Sequence, residues 1–388
     1  MEVRRCASVY FEPREQVQLD LSQLLAGTNG MVRTVSWYAL APHLETPVPV
    51  SEQQMLLLGR LSSLQWQPVE PASVEALADL VRLGLVIDSR AQDCAFACAD
   101  AEVRKDNWWP LAALLHRQGR WQSVDSVEAL ESAGLVTLEG LRDRLGAPPP
   151  SGPSGDCRVL PLPVPARTPF DALLACRATC RNFDTGRGLE LELLSQMLKR
   201  VFGVAGVLEA RGDTEFAKKG SPSAGGLHPT EAYLMVRRVE GIAEGLYHYQ
   251  PRGHALVPLP SLGEALDSLA MRWLSGQHWF ADAPVLVVMA PRFRRTFWKY
   301  RNHSKAYRAV VLDVGHLSQT LYLAATDLGL GAFVTAAINE RDIERSLALT
   351  ALGDGPLAVA GFGWRRDMLE VAEFDPGGEI WDMQPSAS

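Results

Sequence analysis

The sequence predicts an α+β fold in two parts, and three observations carry the prediction. In the second half, helix signals at 189–202 and 262–273 alternate with strand signals at 231–236 and 285–289. In the first half, two helix patterns followed by Leu83-Gly84-Leu85 and a short apolar run outline a winged helix. Between them, residues 147–169 are dense in Pro and Gly, which prevents helix and discourages a central strand. The expected division is therefore an N-terminal winged-helix-like accessory domain at 1–146, a linker at 147–169 and a larger α+β domain at 170–388.

Taken in order, Ser51 is placed to cap a helix running through Gly59, and Ser73 to cap a second in which Val74, Leu77, Leu80, Val81 and Leu83 follow helical spacing. Leu85-Val86-Ile87 then reads as a strand. Winged helices serve DNA reading and peptide capture alike, and the acidic character of 73–88 favours a peptide. Farther on, Trp108, Leu111, Leu114 and Leu115 form one helical stripe, and Val127, Leu130, Leu135 and Val136 suggest another small helical unit, both expected to be core. Arg82-Leu83-Gly84-Leu85-Val86 and Ser132-Ala133-Gly134-Leu135-Val136 rhyme, through duplication or chance. The longest helix is expected from Ala306, with Val310, Val314, Leu317, Leu321, Ala324 and Leu328 on one face, ending at Gly329.

A chain of 388 residues with 47% hydrophobic content can bury a large core. A net charge of -7 argues against a dedicated nucleic-acid binder. Apolar runs such as 283–290 are far shorter than the roughly 20 residues of a membrane helix, and the N-terminus lacks a signal-peptide pattern, so a cytoplasmic protein is expected. Cys94/Cys98 and Cys176/Cys180 raise a zinc site as an alternative, although their spacings are not those of ordinary zinc knuckles.

Two segments suggest a phosphorylated, flat cofactor. Arg177 and Arg181, four apart, would share a helix face with Thr179 near its edge and offer forked donors and a hydroxyl to a phosphate; the alternative is a solvated turn. The small residues Ser221, Pro222, Ser223, Ala224, Gly225 and Gly226 would let main-chain N–H groups approach a planar ring, unless they form a plain surface loop. No Gly-x-Gly-x-x-Gly after a strand, Walker A or His-Glu-x-x-His pattern is present. Asp313 and His316 are a possible metal pair without an evident third ligand, and no histidine is assigned a catalytic role.

From about Arg167 to Arg366 the chain resembles the nitroreductase-like flavin fold, specifically the SagB-type dehydrogenases that mature ribosomally made peptides. Arg177-x-Thr179-x-Arg181 stands where that family has Arg-x-Ser-x-Arg, and Ser221-Pro222-Ser223-Ala224-Gly225-Gly226-Leu227-His228-Pro229 reproduces its flavin loop. Tyr307-Arg308, Leu312-Asp313-x-Gly315-His316 and Gln319 are similar to its central helix, with Thr320 where the family commonly has Asn. The resemblance implies FMN and a two-fold homodimer with sites between subunits. Arg365, after the apolar run 358–360, is assigned to the FMN phosphate.

The resemblance further implies that Lys299 and Tyr300, a Lys-Tyr pair found in azoline-oxidising members, are catalytic. Arg294, Arg295, Arg301 and Lys305 lie close in sequence and would favour the neutral, basic form of the lysine. The implied reaction is oxidation of thiazoline or oxazoline rings in a precursor peptide, with hydride passing to flavin N5, in company with a cyclodehydratase or other modifying enzyme. The alternatives are a nicotinamide-dependent reductase of dehydroalanine or dehydrobutyrine, a peptide-binding scaffold, and, for 292–308, a docking patch for an acidic leader.

Overall fold

A computed structural model describes residues 2–70, 74–152, 160–210, 212 and 215–381. Its contacts divide the chain into two compact units, Met1–Arg120 with Phe293–Tyr307, and Trp121–Arg292 with Arg308–Ser388. The first unit contains the expected helices at Glu52–Arg60 and Val74–Arg82 and the strand Val86–Asp88. That strand pairs antiparallel with Glu2–Arg5, which also pairs with Gln67–Pro68. The helices bury Leu58, Leu77 and Leu80 against Val3, Leu85 and Val86. The expected Ser73 cap lies outside the described residues.

Ser51 closes its helix with a capping box: its hydroxyl accepts the Gln54 N–H at 3.2 Å, and the Gln54 side chain accepts the Ser51 N–H at 2.9 Å. Ser51→Ala is expected to lower the stability of this unit by about 1 kcal/mol, measurable by urea denaturation. A feature with no counterpart in the expected elements is the hairpin Tyr10–Leu19 with Met31–Leu40, extended by Val48–Val50. Much of it is exposed on both faces, so it carries little of the apolar/polar alternation that announces a half-buried strand.

The expected stripe at 108–115 is corrected. Trp108 is buried, but the helix Pro110–Gln118 buries Ala112, Ala113, His116 and Arg117 and leaves Leu111 and Leu115 exposed. The Arg117 guanidinium donates to the Pro42 carbonyl at 2.6 Å and pairs with Glu45, which turns that polar side of the helix inward. The second expected core segment is also exposed: helices Ser126–Ser132 and Leu138–Leu145 bury no residue. The rhyming sequences share a helix ending. Leu85 N–H donates to Leu80 O and Leu135 N–H to Leu130 O, each at 2.9 Å, with Gly84 and Gly134 at φ +76° and +66°.

The second unit is built on a six-stranded, wholly antiparallel sheet. From one edge its strands are Ala255–Pro258, Gly245–Gln250, Thr230–Val236, Val285–Pro291, Ala358–Gly363 and Gly331–Thr335. Side chains alternate across a strand, and Val285–Pro291 is covered on both faces. Val285, Val287 and Met289 join one cluster with Leu194, Leu198, Val314 and Leu321, whereas Leu286, Val288 and Ala290 join another with Leu269, Trp273 and Phe280. The helix Leu191–Val201 and the long helix Ala306–Asp327 thus cover the first face, and Leu266–Trp273 the second.

The contact-based units differ in extent from the division expected at 147–169. Residues 121–126 are strapped into the second unit: Trp121 N–H donates to Glu340, Ser123 N–H to Asp342, Val124 N–H to Asn339 and Ser126 N–H to the Ser275 carbonyl, all within 2.9 Å. Conversely, the excursion at 293–307 packs in the first unit. Trp108 lies 4.7 Å from Phe293, 4.6 Å from Phe297 and 5.6 Å from Tyr307 by ring centroids, and Arg294 pairs with the buried Asp106 at 2.6 Å. Neither association has a signal in local sequence. Among the described residues no helix is long and apolar enough to cross a membrane.

Candidate functional site

The long helix Ala306–Asp327 is the platform to which both segments singled out in the sequence, 177–181 and 221–226, are tied. Its apolar residues Val310, Val314, Leu317 and Leu321 are buried as expected. It ends where Leu330 N–H reaches back to Ala325 O at 2.8 Å and Gly329 adopts φ +73°, a conformation that favours glycine. Beside the buried stripe, Asp313, His316 and Thr320 follow i, i+3, i+7 spacing and share a face.

The segment Ser221–Gly226 connects strand Glu215–Lys219 to strand Thr230–Val236 and lies against this polar line. Ser221 Oγ is 2.6 Å from Thr320 Oγ1 and also reaches the His316 carbonyl at 3.5 Å. Ser223 Oγ donates to Asp313 Oδ2 at 2.5 Å, and Ala224 N–H donates to Asp313 Oδ1 at 3.0 Å. A short 3₁₀ turn at Ala224–Gly226 follows, closed by Gly226 N–H to the Ser223 carbonyl at 2.9 Å. Gly225 and Gly226 take φ of +64° and +68°, which is why the loop needs glycine there. Pro222 has no N–H to offer, so the donors come from its neighbours.

The Arg177–Arg181 segment corrects an expectation. It is not helical: the helix Pro169–Ala175 ends before it, and the chain continues extended, with Thr179 bridged to Ala332 and Cys180 N–H donating to Ala332 O at 2.8 Å. In an extended chain, residues two apart share a side. Arg177, Thr179 and Arg181 therefore still lie together, half-buried, while Ala178, Cys180 and Asn182 turn into the core. Pairing with the sheet edge overrides the local preference. Gly331 leaves room for this approach, since a Cβ there would stand 2.5 Å from Cys180 Sγ.

Tyr322 joins this segment to the long helix: its hydroxyl lies 3.0 Å from Thr179 Oγ1 and accepts the Val334 N–H at 3.0 Å. The Arg177 guanidinium sits 5.4 Å from the Tyr322 ring centroid, and Arg181 sits 5.9 Å from that of Phe280. Among the described residues neither arginine is paired with a carboxylate. Arg365 differs, being paired with Glu373 and donating to the Ala178 carbonyl at 3.1 Å. Glu373, unmarked by the sequence reading, is the centre of this corner. It accepts Arg181 N–H at 2.5 Å, Asn182 N–H at 3.1 Å, Asn182 Nδ2 at 2.9 Å and Trp381 Nε1 at 3.0 Å. Burial pushes its carboxyl up, but the Arg181 N–H, Arg365 and Asn182 together hold it below the usual range.

These residues suit an anionic, flat cofactor. The Ser223 and Gly225 N–H groups have no hydrogen-bond partner among the described residues, and Gly225 is exposed. Arg177 and Arg181, neither paired with a carboxylate among the described residues, flank the Thr179 hydroxyl. Thr230 Oγ1, beside Ser223, His228 and Asp313, is buried without a hydrogen-bond partner among the described residues. Lys299 and Tyr300 lie in the first unit at the end of the helix Phe293–Lys299. Lys299 is exposed, and its Nζ stands 5.4 Å from the Tyr300 ring centroid.

The family model described as the Nitroreductase family matches residues 174–364. A protein of Methanocaldococcus jannaschii named "Putative nitroreductase MJ1384" is 32% identical over 197 residues, spanning 50% of this chain and 92% of its own length. The chain belongs to the nitroreductase family. Family membership makes it an oxidoreductase of a class that typically binds flavin, as the donor set already suggested.

Two further members of the similarity group have names that state a role. The trifolitoxin-processing protein TfxB of Rhizobium leguminosarum bv. trifolii is 31% identical over 169 residues, which are 42% of this chain and 43% of that protein. The microcin B17-processing protein McbC of Escherichia coli is 25% identical over 191 residues, 47% and 65% respectively. Among solved structures, a chain of the Escherichia coli microcin synthetase McbBCD complex with truncated pro-MccB17 bound superposes with a TM-score of 0.50 at 21% identity. That match covers 69% of this chain and 93% of the other, and it shows the nitroreductase-like fold.

Proposed function

We propose that this nitroreductase-family protein is an FMN-dependent dehydrogenase of ribosomally made peptides that oxidises thiazoline or oxazoline rings to azoles. The observation that carries the cofactor assignment is the Ser221–Gly226 loop, held on the long helix with the Ser223 and Gly225 N–H groups left without partners among the described residues. The peptide assignment is supported by similarity to TfxB and McbC, whose names describe peptide processing.

In this reading Arg177, Thr179 and Arg181 hold the phosphate end, while the N–H groups of Ser221–Gly226 face the ring system. Arg365, already paired with Glu373, would act on the phosphate at longer range or by supporting the Ala178 carbonyl. Bound FMN supplies the hydride acceptor that the loss of two hydrogens from the ring requires. Lys299 takes the Cα proton and Tyr300 shares it. An azoline must first be made by cyclodehydration of Cys, Ser or Thr, so the reaction requires a cyclodehydratase upstream. We further propose a two-fold homodimer, supported by Val311 and Leu312, which the long helix leaves 46% and 57% exposed.

The test is the visible spectrum of the purified protein and the identity of any chromophore it releases. Bands of an oxidised flavin, with FMN near one equivalent per chain, are expected. A colourless protein that binds no added FMN would overturn the assignment. Conversion of an azoline peptide with a loss of two mass units per ring is the expected reaction, whereas nicotinamide consumption with a dehydroalanine peptide would identify a reductase.

A further inference from the structure

We propose that Asp313 is a positioning residue that holds the Ser221–Gly226 loop in its cofactor-binding conformation, acting through Ser223 and the Ala224 N–H. This deepens the FMN reading and rests on it.

Asp313 lies about two turns into the long helix, beside its buried stripe, and is 3% exposed. A buried carboxylate needs hydrogen-bond donors, and both of those recorded for it come from the loop: Ser223 Oγ at 2.5 Å and Ala224 N–H at 3.0 Å. The Ser223 hydroxyl is also an acceptor, receiving His228 N–H at 2.9 Å. One carboxylate thus fixes both ends of the turn, at Ala224 directly and at His228 through Ser223. The turn between them is the part with φ above zero at Gly225, Gly226 and His228. His228 is not glycine, so its φ of +45° must be maintained by the surrounding bonds.

The consequence concerns the free donors. The Ser223 and Gly225 N–H groups alternate with the anchored Ala224 N–H, so fixing Ala224 against Asp313 determines where its neighbours point. A loop released from Asp313 would lose this arrangement and let its amides exchange with water. Pre-organised donors bind more tightly than mobile ones because their ordering is already complete. The potential metal pair Asp313–His316 is thereby given another use, since Asp313 faces a serine hydroxyl and an N–H.

The experiment compares wild type, Asp313→Ala, Asp313→Asn and Ser223→Ala by amide hydrogen exchange without added flavin and by FMN titration of the apoprotein. In Asp313→Ala, exchange at Ala224 and His228 is expected to speed at least tenfold while Leu234 and Val287 in the central strands stay unchanged. FMN is expected to bind at least tenfold more weakly. Asp313→Asn, which retains the Oδ1 acceptor, should fall between. Should the alanine variant fail to fold, Ser223→Ala, expected to release His228 more than Ala224, carries the same readouts. Unchanged loop exchange, or FMN affinity within twofold of wild type, overturns the proposal. A wild-type protein that binds no FMN overturns the flavin assignment instead, and the exchange comparison then decides alone whether Asp313 holds the loop.

Discussion

Lys299→Ala is expected to lower azoline oxidation by about a hundredfold or more while leaving FMN content unchanged, the loss typical of removing a general base. The two effects should separate because Lys299 is not among the residues assigned to hold FMN. Lys299 is exposed at the end of the helix Phe293–Lys299, in the unit that does not contain Arg177–Arg181 or Ser221–Gly226. The inward side of that helix consists of Phe293, Thr296 and Phe297, which the substitution does not touch. Tyr300→Phe should be milder, because it removes only the hydroxyl that shares the proton. Product formation by mass spectrometry, normalised to bound flavin, measures both. Undiminished turnover in Lys299→Ala would remove the base assignment and favour a docking role for the basic segment.

The largest effect on stability is expected at Glu373. Replacing it with alanine removes the acceptor for Arg181 N–H, Asn182 N–H and Nδ2, and Trp381 Nε1, and strips Arg365 of its carboxylate partner. Breaking a buried pair by deleting one member leaves the other charge uncompensated, so a loss of about 3 kcal/mol or more is expected in urea unfolding. Because Arg181 is directly anchored by Glu373, FMN affinity should fall with it. The folded carboxyl is held below the ordinary glutamate range near 4.3, so the unfolded chain binds more protons between those two values. The stabilisation is therefore present above the ordinary value and is lost as pH falls through the lowered one. Glu373→Gln should flatten this part of the acid limb. An acid limb identical to that of wild type would show that Glu373 does not carry it.

Much of the local structure was legible because it rests on short-range periodicity and capping. The helix start at Ser51 and the helix ending at Gly329 are each set by residues a few positions apart, and the apolar run at 285–289 marks a strand. The Ser221–Gly226 loop was legible by composition, since φ above zero at two consecutive positions calls for glycine. The correction at 177–181 is instructive: i, i+4 spacing suggested one helix face, but i, i+2, i+4 also lines one side of an extended chain. The same residues stay together for a different reason.

What the sequence determined alone was chemistry attached to local pattern: a family-like loop of small residues, two arginines around a hydroxyl, and a long amphipathic helix. The tertiary structure decided which distant groups complete them. Glu373 reaches Arg181 and Asn182 across about 190 positions of chain, Asp313 reaches Ser223 across 90, and Tyr322 meets Thr179 across 143. It likewise decided that 121–126 belongs with one compact unit and 293–307 with the other. A polar side chain carries no local mark of the partner that will satisfy it, because that partner is selected by burial and by the path of the chain rather than by spacing.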